Sequence, residues 1–181
     1  FLYEAYDNYW DFTENSLHND ILELVVDGDL SGGPFVKQMN PNKDIVSIGD
    51  LHFDFHGVHA QNYHIFTPPG DKDWCMLWGC AQWLKDLPYA NYAYSHAVSQ
   101  GKDGNLILEF WITPFDFAVY DKPTASVMTP LEENKLIGLG WVTLDYDGPG
   151  KRTGAYNLTG KTKMYGNASD LCAFRLMPLE D

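Results

Sequence analysis

A turn rich in carboxylates lies at residues 27–33, where the sequence reads DGDLSGG. It places Asp27, Asp29 and Ser31 at alternate positions, and its glycines allow the backbone to curl tightly. Oxygen ligands at this spacing suit a hard cation, so one interpretation is a structural calcium site that pins neighbouring loops. The other is an Asx-rich turn at the end of a strand that binds no ion.

A group of histidines provides a second candidate for metal binding, with His52, His56, His59 and His64 lying within thirteen residues. On a strand, His52, Asp54 and His56 project from one face about 7 Å apart, so neighbouring members could chelate a transition metal. His52 and His56 by themselves would lie about 13 Å apart, which is too far for both to bind one ion. The alternative is a polar outer face with buried, hydrogen-bonded imidazoles.

Aromatic residues are concentrated between residues 74 and 94. Exposed rings can stack on the C–H faces of a pyranose, while amides supply directional hydrogen bonds. Part of this group is expected in the core, because Trp74 and Trp78 share an apolar stripe. The remaining rings and two amides form the predicted sugar-binding surface: Trp83, Tyr89, Tyr92, Tyr94, Asn91 and Gln82.

Composition excludes several other function classes. The chain of 181 residues has a net charge of −13, which repels phosphate backbones and anionic lipid, so we expect neither a nucleic-acid nor a membrane-surface partner. No apolar run is long enough to span a bilayer. The sequence contains no GxSxG, HExxH or phosphate-binding GxxxxGK[ST] motif, so nucleophilic and phosphate chemistry have little support. Hydrophobic residues at 45% favour one globular domain over residues 1–181.

Alternating hydrophobicity predicts an all-β fold. Short strands separated by clusters of Gly, Pro, Asn and Asp are typical of a sandwich or barrel. The predicted strands are Ile21–Val26, Ile45–His56, Tyr63–Phe66, Leu106–Thr113, Ile137–Tyr146 and Cys172–Met177, and the opening residues also read as a strand. Residues 73–84 instead repeat apolar side chains at helical spacing, which predicts one short helix of about three turns. The three cysteines, Cys75, Cys80 and Cys172, leave disulfide pairing open.

Several segments, taken in order, resemble family 9 carbohydrate-binding modules and the related DOMON domains. WDFTENSLHNDILELVVDGDLSGG, at residues 10–33, is similar to the strand and acidic turn of these families. DGNLILEFWI at residues 103–112, the strand at residues 137–147 and the closing segment at residues 170–179 resemble later strands of the same fold. Because such modules have one or two strands before the point where this sequence begins, we expect the first strands to be missing, as in a fragment, or rearranged. Residues 70–94 match nothing in the family pattern.

The resemblance implies a two-sheet antiparallel β-sandwich with ring-bearing loops, commonly with structural calcium, in a secreted, periplasmic or cell-surface protein that has other domains. The leading hypothesis is non-catalytic binding of an oligo- or polysaccharide. The first alternative is a haem-binding electron-transfer module of the DOMON type. The second is a metal-dependent enzyme acting on polysaccharide through the histidine group.

Overall fold

The computed structural model describes residues 1–12, 17–34, 56–70, 73–79, 81–119, 122–161 and 164–178. Within these ranges the chain is built from short strands and single turns of 3-10 helix. The strands are β1 (Leu2–Asp7), β2 (Ile21–Asp27), β3 (Gln61–Phe66), β4 (Cys75–Leu77), β5 (Ala90–His96), β6 (Gly104–Ile112), β7 (Phe115–Phe117), β8 (Val127–Met128), β9 (Leu136–Tyr146), β10 (Arg152–Asn157) and β11 (Cys172–Arg175). No helix in the described part could cross a membrane.

Two antiparallel sheets form the sandwich, which confirms the predicted fold class. The smaller sheet has the order β1-β6-β5. The larger sheet has the order β10-β9-β2-β3-β4, and β11 also pairs with β9. The long strand β9 accommodates both neighbours on one edge because β10 pairs with its C-terminal half and β11 with its N-terminal end. The strands β7 and β8 form a separate two-stranded ribbon.

Alternation along β2 sends its side chains to two different apolar layers. Leu22, Leu24 and Val26 join the layer between the sheets, where they belong to one cluster with Leu108 and Phe110 of β6. Ile21 and Val25 lie on the opposite face of the larger sheet, in a second cluster with Val142, Met164 and Ala168. The sequence predicts a half-buried strand, whereas β2 is buried over its whole length. Burial on both faces arises because a later segment, residues 164–171, covers the outer face.

Two glycines make room for that covering segment. A Cβ added to Gly140 would lie 2.8 Å from Leu171 Cδ2 and 3.3 Å from Met164 Sδ, which no ordinary contact permits. Gly138 is similarly close to Leu171. The absence of side chains on this part of β9 therefore lets residues 164–171 approach the sheet.

The predicted helix at residues 73–84 is wrong over most of its length. Cys75–Leu77 form β4, which pairs with the free edge of β3, and the helical part is reduced to one 3-10 turn, Gln82–Lys85. A short apolar run can serve as a strand or a helix, and the hydrogen-bonding edge of β3 selects the strand. The expected loop carrying Tyr92 and Tyr94 is also a strand, β5.

The other predicted strands correspond to β2, β3, β6, β9 and β11 within a few residues. The opening strand corresponds to β1. The sequence analysis missed β10, which lies in a stretch read as turn. The predicted strand Ile45–His56 lies almost entirely outside the described residues.

Candidate functional site

The acidic turn closes on its own backbone. Gly32 N donates to Asp27 Oδ2 at 2.8 Å, and Ser31 N lies 3.0 Å from Asp29 Oδ1 and 3.3 Å from Asp27 Oδ1. Burial raises the pKa of Asp27 to about 6. The turn therefore has the geometry of an Asx-rich strand end, and calcium binding by Asp27, Asp29 and Ser31 stays a prediction.

The predicted transition-metal group is only partly described, because His52 and Asp54 lie outside the described residues. His56 is buried, and its ring centroid lies 6.4 Å from that of Trp78. In the described part of the chain, the one group of three acidic or metal-ligating side chains close enough to share an ion is Asp7, Asp20 and Asp145. Both oxygens of Asp20 already accept backbone N–H groups, from Asp11 at 2.6 Å and Tyr146 at 2.8 Å.

Three of the predicted sugar-binding residues, Gln82, Trp83 and Tyr89, have structural roles. The Gln82 amide donates to the carbonyls of Leu77 and Gly79, both at 2.7 Å, and so closes the turn after β4. Trp83 Nε1 donates to the Val119 carbonyl, and its ring packs edge-on against Tyr89 and Phe115. Tyr89 also contacts Phe115, so these two rings are part of the apolar layer between the sheets.

The other predicted rings stack on one another along β5. Trp74, Tyr92, Tyr94 and His96 follow each other with centroid distances of 5.3, 6.2 and 5.6 Å and interplanar angles of 17°, 13° and 18°. Residues two apart on a strand lie at this spacing, so each ring covers the face of the next. Asn91 is exposed on the opposite face of the strand. The ladder thus presents mainly ring edges to solvent, while sugar stacking requires open faces.

A pocket on the outer face of the larger sheet, which we call the outer-face pocket, has a different composition. Its volume is about 310 Å³. Polar side chains from β2 and β3 form its floor, and Trp78, Tyr165 and Arg152 stand around it. The complete lining is Leu17, Glu23, His56, Asn62, His64, Trp78, Leu144, Arg152 and Tyr165.

Glu23 is the polar centre of this floor. Strand pairing places Glu23 directly opposite His64, whose Nδ1 lies 2.5 Å from Glu23 Oε1. Trp78 Nε1 donates to the same oxygen at 3.4 Å, and the Trp78 ring meets the His64 ring edge-on at 6.0 Å. The second oxygen, Glu23 Oε2, is buried and has no hydrogen-bond partner among the described residues.

The neighbouring amide of Asn62 is also unsatisfied. Asn62 follows Gln61 on β3, is 1% exposed, and shares the outer face with His64. Neither Oδ1 nor Nδ2 has a hydrogen-bond partner within the described ranges. The backbone carbonyl of Asn62 accepts a hydrogen bond from Trp78 N at 3.0 Å, so β3 also positions the backbone of Trp78. Glu23 and Asn62, whose side chains carry these three buried polar atoms, therefore both line the same pocket.

Sequence reasoning found some members of this pocket but not the pocket. His56 and His64 were noticed as part of a histidine group, and Trp78 was assigned to the core. Glu23 enters the sequence analysis only as part of the segment at residues 10–33 that resembles the family pattern. A charged residue within ILELVV was the available signal, because a carboxylate on an otherwise apolar strand must be exposed or paired. Arg152 and Tyr165 lie in distant segments of the sequence, and no local sequence pattern indicates that they line a pocket.

Comparison with known proteins supports the fold assignment. No protein-family model and no curated protein sequence matches this chain. Solved structures that match include a family 9 carbohydrate-binding module from Caldicellulosiruptor kristjanssonii in complex with glucose, with a TM-score of 0.58, 10% identity, and coverage of 99% of this chain and 71% of that one. The same organism's module in complex with cellotriose gives a TM-score of 0.57 and 11% identity over 99% of this chain and 69% of that one. This chain therefore has the fold of family 9 carbohydrate-binding modules.

Proposed function

We propose that this protein is a non-catalytic carbohydrate-binding module and that its sugar site is the outer-face pocket. The observation that carries the proposal is the buried Oε2 of Glu23, which has no hydrogen-bond partner among the described residues and belongs to a pocket also lined by Trp78 and Tyr165. A buried carboxylate oxygen without a partner is costly, and a sugar hydroxyl would satisfy it by donating a hydrogen bond.

The wall of the pocket suits a pyranose. Trp78 is half-buried and is held in place by its indole N–H bond to Glu23 and by its contact with His64. Tyr165 is 37% exposed at the rim. Rings fixed in this way can cover the apolar C–H face of a sugar while the floor binds its hydroxyls. A volume of about 310 Å³ lies at the lower end of ligand pockets, which fits one or two sugar units better than a haem.

Charge at the pocket also favours a neutral hydroxylated ligand. Glu23 offers an acceptor, Arg152 offers donors at the rim, and Asn62 offers both. Because Glu23 has an uncompensated oxygen in a protein of net charge −13, an anionic ligand would meet repulsion. The fold neighbours are described in complex with glucose and cellotriose, and both are neutral sugars. We therefore propose neutral gluco-configured sugars as the first ligands to test.

The experiment is calorimetric titration of the protein with glucose and cellotriose, followed by affinity electrophoresis in gels containing neutral polysaccharides. We expect saturable binding that Trp78→Ala weakens at least tenfold, because the sugar loses its stacking face. Tyr94→Ala is the matched control, since Tyr94 is an exposed ring outside the pocket.

Two results would contradict the proposal. One is the absence of binding to every neutral glycan by a protein with a normal thermal transition. The other is binding that Tyr94→Ala abolishes and Trp78→Ala leaves unchanged, because the β5 rings would then be the site, as the sequence alone predicts.

A further inference from the structure

We infer that Asn62 is a specificity-determining residue that reads two adjacent hydroxyl groups of the bound sugar. This inference rests on the proposed function and names the chemical feature that the site selects. It predicts that the ligand must present an unsubstituted vicinal diol to the pocket floor.

Strand β3 buries two neighbouring side-chain amides, Gln61 and Asn62, whose hydrogen bonding differs. Gln61 is 0% exposed, and its side chain is fully used: Nε2 donates to the carbonyls of Gly57 at 3.3 Å and Phe115 at 2.9 Å, and Oε1 accepts from Phe115 N at 2.9 Å. Asn62 is buried to the same degree, yet neither atom of its amide has a partner in the described part of the chain. The Gln61 side chain therefore stabilises the folded state, whereas burial of the Asn62 amide lowers the folding stability.

A polar group that is buried without partners costs roughly 1–3 kcal/mol of folding stability. An apolar residue of similar shape would avoid this cost, since Val25, the residue directly opposite Asn62, already belongs to an apolar cluster on the outer face. A cavity behind Asn62, lined also by Gly57, Leu77 and Leu84, measures about 10 Å³. This volume is at the limit for a single water molecule, so it offers at most one partner for an amide that can make several hydrogen bonds.

The position of Asn62 relative to Glu23 defines what can satisfy both. Glu23 pairs with His64, and Asn62 lies two residues from His64 on the same face, so Glu23 and Asn62 are diagonal neighbours. Such neighbours lie about 7–8 Å apart at their Cα atoms, a gap that a sugar ring edge can bridge. An amide offers one acceptor and two donors within a single plane, and two adjacent hydroxyls match this arrangement while one of them also donates to Glu23 Oε2.

The test combines stability with binding in the same variants. Asn62→Leu should raise Tm by about 3 °C or more, because it removes an unsatisfied amide, and should weaken glucose binding at least tenfold. Gln61→Met is the matched control from the adjacent position. It should lower Tm, because it leaves the backbone groups of Gly57 and Phe115 without partners, while a folded variant keeps its glucose affinity. Titrations with 2-deoxy-, 3-deoxy- and 4-deoxyglucose should locate the pair of hydroxyls, two adjacent losses being expected.

Retention of glucose affinity in Asn62→Leu would overturn the inference. A fall in its Tm comparable to that of Gln61→Met would also overturn it, because the amide would then be satisfied in the free protein. These outcomes differ from failure of the proposed function, in which the unsubstituted protein itself binds no neutral sugar.

Discussion

The aromatic group at residues 74–94, apart from Trp78, and the outer-face pocket, which contains Trp78, are both rich in rings, but their rings have different surroundings. In the first, each ring covers the next: Trp74 stacks on Tyr92, and Trp83 packs against Tyr89 and Phe115. In the second, Trp78 stands beside polar atoms of Glu23 and Asn62 that no described residue satisfies. The number of aromatic residues predicts a sugar site in the first region, whereas unsatisfied polar burial indicates one in the second.

The hydrogen bonding of the neighbouring polar atoms distinguishes a cluster of core rings from a ring-lined binding site. Rings that bury one another gain stability from apolar area and stacking, so they need no ligand. Polar atoms that remain buried without partners reduce stability, so a ligand that satisfies them binds with a net gain. Unsatisfied polarity beside a ring is therefore the stronger indication of binding.

The largest expected effect concerns Trp74. Trp74→Ala should lower the free energy of unfolding by about 3–5 kcal/mol, because the ring is 3% exposed, packs on Tyr63, Tyr92 and Phe110, and donates its indole N–H to the Lys85 carbonyl. Urea denaturation measures the change. Sugar affinity of the folded fraction should stay the same, and a selective loss of affinity would move the site to the β5 rings.

The second effect concerns Glu23. Glu23→Gln keeps the shape of the side chain but replaces a carboxylate by an amide, so the bond to His64 weakens and the free acceptor disappears. We expect glucose affinity to fall by about tenfold to a hundredfold, equivalent to about 1.4–2.7 kcal/mol. Calorimetry measures the affinity, and near-ultraviolet circular dichroism verifies that Trp78 keeps its environment. Unchanged affinity would remove Glu23 from the site.

A smaller effect is expected at Asp20, a buried carboxylate outside the outer-face pocket. Its burial should change only the stability of the protein and not its sugar affinity. Burial raises the pKa of Asp20 from 3.8 to about 7, and the nearby Asp7 and Asp145 add to the shift. The folded protein then holds a proton that the unfolded chain releases above about pH 4, so stability should fall as pH rises from about 4 to about 7. Thermal melts across this range should show Tm decreasing by a few degrees, and Asp20→Asn should flatten the profile.

The same melts test two candidate calcium sites: the acidic turn predicted from the sequence, and the group of Asp7, Asp20 and Asp145. If Asp7, Asp20 and Asp145 hold a cation, calcium at pH 8 should restore the Tm lost on deprotonation and a chelator should remove that gain. Asp29→Asn distinguishes this group from the acidic turn, since it changes only the turn. A calcium response that Asp29→Asn abolishes would favour the turn at residues 27–33.

The smallest effect is expected at Tyr94. Tyr94 is 40% exposed and lies between Tyr92 and His96 in the ring ladder, so Tyr94→Ala should change the free energy of unfolding by no more than about 0.5 kcal/mol and leave sugar affinity unaltered. Parallel denaturation and titration measure both quantities. A loss of affinity here would support the surface predicted from the sequence and weaken the contrast between the two regions.

Much of the fold could be predicted from residue patterns. Alternation in ILELVVD and NLILEFWI identified β2 and β6, because a period of two is a local property of a strand. The prediction failed for residues 74–84. Trp74 and Leu84 are both buried in the apolar layer between the sheets, but this burial comes from tertiary packing and not from one face of a helix. β10 was missed because its pairing partner, β9, supplies the hydrogen bonds that its own composition does not suggest.

Local sequence alone predicted an all-β sandwich or barrel and a tight acidic turn after β2, because strand alternation and turn chemistry depend on neighbouring residues. Only the tertiary structure decided where a ligand can bind. Glu23, Asn62, Trp78, Arg152 and Tyr165 lie far apart along the chain, and strand pairing together with the close approach of residues 164–171 to Gly140 brings them to one pocket. Whether a buried polar atom is satisfied depends on all its neighbours at once, and the linear order of residues does not contain that information.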